Sequence, residues 1–250
     1  MTYSSRSVRS KWTKTKWLRQ NRTLRRHIPH TSLFTKSNLD TMLNHYRLVY
    51  FKPTGGTGGQ RIVRLKKTRQ GWQSKYNFTV TTHRDRQMLY RYLRSFSKGN
   101  SFLLQKGIRL AKVHGRSFDI RVMMQKTNYG NWINSGLFTK IGHPGKVATN
   151  YNQGGTVGTV EAALSGAGFR RAAVRHKKAQ LRQLGVAAGK VFSRKHRRFR
   201  ELGLDVAMTP KGRLWILEVN TRPQYYPLKI SHKKIYNRIR DYAKQYGRRS

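Results

Sequence analysis

Residues 201–224 read ELGLDVAMTPKGRLWILEVNTRPQ, and they set Asp205, Glu218 and Asn220, three oxygen-bearing side chains, into an otherwise almost uniformly basic chain. Asp205 opens an apolar run through Val206, Ala207 and Met208, Pro210-Lys211-Gly212 reads as a turn, and Leu214 to Asn220 reads as a buried strand. The stretch is predicted to be a hairpin. Antiparallel arms bring Asp205 and Glu218 to the same open end, and strand alternation points Asn220 to the side of Glu218. Oxygen ligands converging in this way suit magnesium. The alternative is a surface hairpin whose few acids offset neighbouring Lys and Arg.

Working outward, the 250 residues are 36% hydrophobic and 11% aromatic, enough to bury a core as one large domain or two small lobes, and too much for a disordered basic tail. Lys and Arg number 54 against 8 Asp and Glu, a formal charge of +46 that attracts polyanions: nucleic acid, anionic membrane or wall polymers, or acidic peptides. The chain has no cysteine, which excludes a disulfide framework, a thiolate nucleophile and a Cys-ligated metal. No run of about 18 apolar residues is present to span a bilayer, and the basic N-terminus lacks the apolar core of a signal peptide. The expectation is a soluble cytoplasmic protein.

Residues 1–27 carry nine Lys and Arg with Trp12, Trp17 and Leu18 interspersed, the pattern of a basic, partly helical arm that is either a solvated face or a polyanion contact. Pro29 then breaks any helix, and Ser37 is the expected cap of a short helix carrying Leu39, Met42 and Leu43. Strand-like residues 47–52 run into PTGGTGGQ before residues 61–65 resume the alternation. Backbone N–H groups at Gly55, Gly56, Thr57, Gly58 and Gly59 can approach phosphate oxygens unobstructed, with Lys52 reaching the same phosphates. The loop is neither a Walker loop nor a dinucleotide fingerprint, both of which lead into a helix. It fits a flap between antiparallel strands, as in kinase-type nucleotide covers. A glycine-rich hairpin without a ligand is the alternative.

Residues 72–82 continue the strand pattern, and residues 84–96 read as an amphipathic helix burying Met88, Leu89, Tyr92, Leu93 and Phe96. Residues 101–108 form a short apolar strand whose exit is either an ordinary strand end or an adenine slot. Residues 118–125 are a further strand, with Arg121 a candidate phosphate clamp and Asp119 holding a basic neighbour; an in-strand ion pair explains them equally well. Residues 132–141 form another strand with Lys140 near its end, and the polar loop 149–155 could complete a site floor. One or two helices are expected over residues 160–196, with Arg170, Arg171, Arg175, Lys177 and Lys178 outward, and residues 195–200 and 229–249 repeat the basic theme. No helix-turn-helix or zinc-finger pattern is visible.

Taken in order, HIPHTSLF, LVYFKPTGGTGGQRI, FLLQKGIRL, GRSFDIRVMMQK, GLFTKIG with VATNYNQGG, and GLDVAMTPKGRLWILEVNTRP resemble the ATP-grasp superfamily, specifically the YheC/YheD-like proteins associated with bacterial endospore coats. The resemblance covers roughly residues 27 to 225. It implies an α+β ATP-grasp fold in which two α+β lobes hold Mg-ATP between their sheets. By the same resemblance Lys52 matches the phosphate-touching lysine, Gly55 to Gly59 the phosphate cover, and Gln105 with Lys106, Gly107 and Ile108 the adenine hinge. Arg121 matches the phosphate-side arginine, and Asp205, Glu218 and Asn220 match the metal ligands. Lys140 and Asn150 lie in similar segments and join Arg121 as candidate catalytic residues. After Asn220 the chain departs from the common Ser-x-Pro-Gly turn with Thr221-Arg222-Pro223-Gln224-Tyr225, so the substrate end of the site is expected to differ.

The expected organisation is a basic arm over 1–27, standing in place of a full preceding domain, then an ATP-grasp domain over 28–228 and a basic C-terminal helix or tail over 229–250. Within that domain, 28–110 and 111–228 form the lobes. The implied function is Mg-ATP-dependent ligation of a carboxylate to an amine through an acyl-phosphate, acting on a peptide or acidic polymer in endospore formation, cytoplasmic or spore coat-associated. The alternative is a non-catalytic basic spore-layer protein that binds polyanions on the same fold.

Overall fold

The computed structural model describes residues 2–56, 58–144 and 154–248. Thr57, Asn150 and most of the polar loop expected at 149–155 lie outside the described residues. The chain opens with helices α1 (Lys11–Arg19) and α2 (Arg22–Arg25). Side-chain oxygens start both: Ser10 accepts from the Thr13 N–H, and Asn21 from those of Thr23 and Leu24. Leu18, Leu24 and Ile28 are buried in the core of the second sheet, so this basic segment packs onto the body of the protein.

Residues 31–106 build the first sheet and its helices: β1 (Thr31–Leu33), α3 (Lys36–His45), β2 (Leu48–Pro53), β3 (Val63–Thr68), β4 (Gly71–Tyr76), β5 (Thr79–His83), α4 (Arg86–Ser97) and β6 (Phe102–Lys106). The strand order is β1-β6-β2-β3-β4-β5, antiparallel throughout. Leu39, Met42 and Leu43 of α3 and Leu89 and Leu93 of α4 bury against Val49, Phe51, Val63, Leu65, Phe102 and Leu104 of the sheet. Two expectations are corrected here. Thr35 caps α3, accepting from the Asn38 N–H at 3.1 Å; a cap must sit just outside the first turn, and Ser37 is already inside it. Met88 is 41% exposed, because it lies about 100° around the helix from Leu89 and so leaves the buried stripe.

The second sheet comprises β7 (Lys112–Val113), β8 (Arg116–Lys126), β9 (Trp132–Ile141), β10 (Thr156–Gly158), β11 (Glu201–Met208) and β12 (Leu214–Asn220), in the order β10-β9-β8-β11-β12 with β7 beside β8. Between β10 and β11 run α5 (Val160–Gly166) and α6 (Arg171–Lys195), and α7 (Leu228–Ser231) and α8 (Lys233–Lys244) end the chain. Helix α6 covers one face with Val174, Leu181, Leu184, Ala188 and Phe192. Part of the opposite face is covered by Tyr236, Ile239 and Ala243 of α8, packed with Met123, Phe138 and Tyr246. A strand covered on both faces reads as a continuous apolar run, and all eight residues of β11 are buried.

Helix α6 approaches closely because it presents glycine. A Cβ at Gly189 would lie 2.5 Å from ring atoms of Trp132, whose indole N–H is tied to Ser193 at 2.8 Å. Gly189→Ala therefore destabilises the protein by about 1–3 kcal/mol through overpacking, despite the ~1 kcal/mol that alanine gains in helix propensity. Chemical denaturation measures the sign.

The remaining part of that inner face is the site. Alternation along β8 sends Ile120, Val122 and Met124 to the α6 side, leaving Asp119 and Arg121 on the other. Their cross-strand partners on β11 are Ala207 and Asp205. In the β11–β12 hairpin Asp205 and Glu218 lie near the same end, as the sequence predicts, and a register shift between Asp205 and Val206 makes them direct partners. The strand itself begins at Glu201, so Asp205 lies mid-strand instead of opening the run.

Candidate active site

A cavity of about 160 Å³ lies between the two sheets. Lys52, Gly56, Gly58, Gly59, Arg121, Lys140, Asp205, Glu218 and Asn220 all line it, as do Lys11 and Arg222. Each comes from an element that fixes its direction: Lys52 from the end of β2, the glycines from the β2–β3 connection, Arg121 from β8, Lys140 from β9, and Asp205, Glu218 and Asn220 from the β11–β12 hairpin.

Asp205 is the electrostatic centre. Arg121 grips it in a fork, Nε to Oδ1 at 2.7 Å and Nη2 to Oδ2 at 3.2 Å. Lys140 Nζ lies 2.9 Å from Oδ1 and 3.0 Å from Asp119, and Asn220 Nδ2 donates to Oδ2 at 3.1 Å. Burial alone would raise the Asp205 pKa, but Arg121 and Lys140 outweigh it and hold the carboxyl well below the usual range. Burial likewise works to lower the Arg121 pKa, and Asp205 overrides it, so the guanidinium is held charged more firmly than usual. Arg121 thus lines the cavity and is paired across strands with Asp205, while Asp119, expected to pair within its own strand, holds Lys140.

Glu218 is more open, its side chain 22% exposed and 3.6 Å from Lys11 Nζ. Asn220 spends its amide N–H on Asp205, which turns its carbonyl oxygen elsewhere. Among the described residues no three His, Cys, Asp or Glu side chains gather into a metal cluster. The Glu218 carboxylate and the Asn220 amide oxygen nevertheless fit magnesium, which is held by one or two carboxylates together with phosphate oxygens; Asp205, each of whose oxygens already takes two donors, joins them only by releasing one.

Lys52 is 7% exposed and donates to Gln105 Oε1 at 2.7 Å and to the Leu217 carbonyl at 3.3 Å. Burial lowers its pKa to about 8 against the opposing pull of Glu218. Gln105 Nε2 also reaches Thr31 Oγ1 at 3.1 Å and the Leu217 carbonyl at 3.5 Å, so β2 and β6 of the first sheet are tied to β12 of the second. The expected hinge residues fall outside the cavity. The backbone N–H of Lys106 goes to the His30 carbonyl and that of Gly107 to the Leu48 carbonyl, and Ile108 is buried. Gly55 also lies outside it, and its carbonyl accepts from Lys11.

Lys11 was not legible as a site residue. Its Nζ donates to the carbonyls of Gly55 at 3.1 Å and Gly56 at 2.8 Å, and its backbone N–H to that of Thr54, so α1 holds the glycine-rich loop over the cavity. Gly56 and Gly58 have φ of +87° and +71°, which only glycine adopts without strain. The available signal was the spacing Lys11, Lys14, Leu18: one helical face, the same one that carries the buried leucine. Both lysines are indeed buried. Arg222 was also missed; it lies over the Tyr3 ring, 4.9 Å from its centroid, on the turn that departs from the family pattern.

Comparison with known proteins bears on the fold and the family. Crystal structures at low identity share the fold: the D-Ala:D-Ser ligase VanG of Enterococcus faecalis (TM-score 0.55, 12% identity, 95% of this chain and 61% of that one) and the C-terminal domain of K. lactis Pby1, an ATP-grasp enzyme (TM-score 0.54, 14% identity, 96% and 73%). In sequence, the endospore coat-associated protein YheD of Bacillus subtilis is 26% identical over 191 residues, 74% of this chain and 41% of the relative. Its endospore coat-associated protein YheC is 25% identical over 246 residues, 88% of this chain and 61% of the relative. The chain thus spans less than two thirds of either relative's length. A profile described as YheC/D like ATP-grasp matches residues 1–248, taking in α1 and its lysines as well as the hairpin, and the chain belongs to that family.

Proposed function

We propose that the protein binds Mg-ATP between its two sheets and uses it to ligate a carboxylate to an amine through an acyl-phosphate. The observation that carries this reading is the single cavity into which Asp205, Glu218 and Asn220 converge with Lys11, Lys52, Arg121 and Lys140. Asp205, Glu218 and the Asn220 carbonyl would hold magnesium, which when bound neutralises charge between phosphate oxygens. Lys52 and Lys11 contribute fixed positive charge at the phosphates, with the loop N–H groups above them. Arg121 and Lys140, oriented by Asp205 and Asp119, face the position of the transferred phosphoryl group. Arg222, on the departing turn, is assigned to the acceptor end, where its charge suits an acidic peptide or polymer. The relatives' names suggest an association with the endospore coat. No helix among the described residues is long and apolar enough to cross a membrane.

The test is ADP release from ATP and Mg²⁺ with acidic peptides as acceptors, wild type against Lys140→Ala and Arg222→Ala. Acceptor-dependent release that both variants lose supports the ligase; release indifferent to acceptor and to both variants contradicts it.

Lys52 sets a pH dependence. Its pKa of about 8 means that the free site loses this charge as pH rises through that value. Mg-ATP affinity is expected to weaken by up to about tenfold between roughly pH 7 and pH 9, and Lys52→Met should flatten the profile at the weaker level. Calorimetric titration across that range reads both.

A further inference from the structure

We propose that a strip of alternating cations and aromatic rings outside the cleft, running from Arg213 to Arg25, binds single-stranded nucleic acid. The Arg213 guanidinium lies 4.2 Å from the centroid of the Trp215 ring. Lys106 Nζ is 5.5 Å from the same ring and 5.0 Å from that of Tyr46. The Tyr46 hydroxyl is within hydrogen-bond distance of His30 Nδ1, 3.1 Å away, and the two rings meet edge to face. His30 in turn lines an open pocket of about 390 Å³ with Arg19, Arg25, Ile28 and Pro29. The strip therefore crosses from β12 over β6 to the linker before β1.

The strip differs from the general positive surface in one respect. Among the described residues Arg19, Arg25, Lys106 and Arg213 have no carboxylate within ion-pair distance, which they share with most cations of the chain, Arg171 and Arg175 included, so the distinction lies in the rings. Ring faces order Lys106 and Arg213 instead, and a ring leaves the positive charge intact for an anion. No acidic side chain lines the pocket either. Exposed Arg171, Arg175 and Arg182 on α6 form another basic face, but no Trp or Tyr lies among them.

Cations suffice for a duplex backbone or an acidic peptide, whereas cations interleaved with rings match a strand that offers both phosphates and unstacked bases. Duplex bases are stacked away from such rings, and an acidic peptide has nothing to place on them. On binding, the exposed Arg213 side chain moves from the Trp215 ring to a phosphate and a base takes its place. Arg19 and Arg25 receive phosphates at the far end, where their guanidinium forks suit the oxygens. None of these groups lines the cavity between the sheets; the resemblance sets Lys106 in the adenine hinge, so the test substitutes Trp215, Arg25 and Arg213 and leaves Lys106 in place.

The experiment is fluorescence anisotropy on the full chain with oligodeoxythymidine of about twelve nucleotides, a duplex of equal length and poly-glutamate, each at about 50 and 200 mM salt. Trp215→Leu changes no charge; it is expected to weaken oligodeoxythymidine binding by about 5–100-fold while leaving poly-glutamate within about twofold. The exposed pair Arg25→Ala/Arg213→Ala should cost more than about tenfold, against less than about twofold for Arg171→Ala/Arg175→Ala, an equal loss of charge on α6. Equal losses from the two arginine pairs, or duplex or poly-glutamate binding as tight as the single strand, would overturn the assignment. Should Trp215→Leu prove unfolded by thermal melting, the arginine pairs alone decide.

Discussion

Asp205→Ala lowers the stability of the protein by about 3–5 kcal/mol, because it strands the buried Arg121 guanidinium and removes one of the two carboxylates that hold Lys140. For a chain of this size the melting temperature falls by about 6–20 °C. Mg-dependent ATP binding is lost with it. Loss of fold and loss of site would look alike in this variant, so the informative companion is Asp205→Leu with Arg121→Met. That pair replaces the buried ions by apolar groups and should recover most of the stability, since a buried ion pair as a whole adds little over a hydrophobic one. Mg-ATP binding should stay lost. Urea unfolding beside nucleotide titration separates the two effects, and recovery of both together would mean that Asp205 has only a structural role.

Glu218→Gln has the opposite profile. Its side chain is partly open, and Lys11 at 3.6 Å is a loose partner, so stability changes by no more than about 1 kcal/mol. Gln keeps an oxygen donor but not the carboxylate's negative charge, so it holds a hard divalent cation less tightly, and weakening a direct ligand is expected to cost at least the ~10–100-fold that loss of an outer-shell partner does. Mg-dependent nucleotide affinity is expected to fall by that factor or more, with the melting curve nearly unmoved. An unchanged Mg²⁺ dependence would remove Glu218 from the ligand set.

The contrast between these two residues also explains what was legible in the sequence. Both sit on a hairpin whose turn, Pro210-Lys211-Gly212, is readable, so local chemistry brings Asp205 and Glu218 near the same open end; their direct pairing comes from the register shift after Asp205, without which Asp205 would face Leu217. The β2–loop–β3 flap was readable for the same reason. What depends on distant contacts was not. Lys11 meets Gly56 and Glu218, 45 and 207 positions away, and a basic helix with two tryptophans reads equally well as solvated. Gln105 was read as part of the base hinge, whereas its side chain locks Lys52 and Leu217 across the cleft. Nothing in a strand pattern reports which way an amide is bonded. The partnering of Arg121 was similarly open: alternation aims it into the site, but only the placement of β11 beside β8 gives it Asp205. Met88 shows the limit in the core, where a single step around a helix moves an apolar residue from contact to solvent.

The proposed site is one cavity between the sheets that binds nucleotide through metal held by Asp205, Glu218 and Asn220. Calorimetric titration of a non-hydrolysable ATP analogue, with Mg²⁺ and with EDTA at about 50 and 200 mM salt, tests it most directly. Saturable one-to-one binding is expected that requires Mg²⁺, survives the higher salt and weakens by at least ~10-fold in Glu218→Gln. Binding that is indifferent to EDTA and to Glu218→Gln, and that collapses with salt, would mean that the basic surface alone takes up the nucleotide.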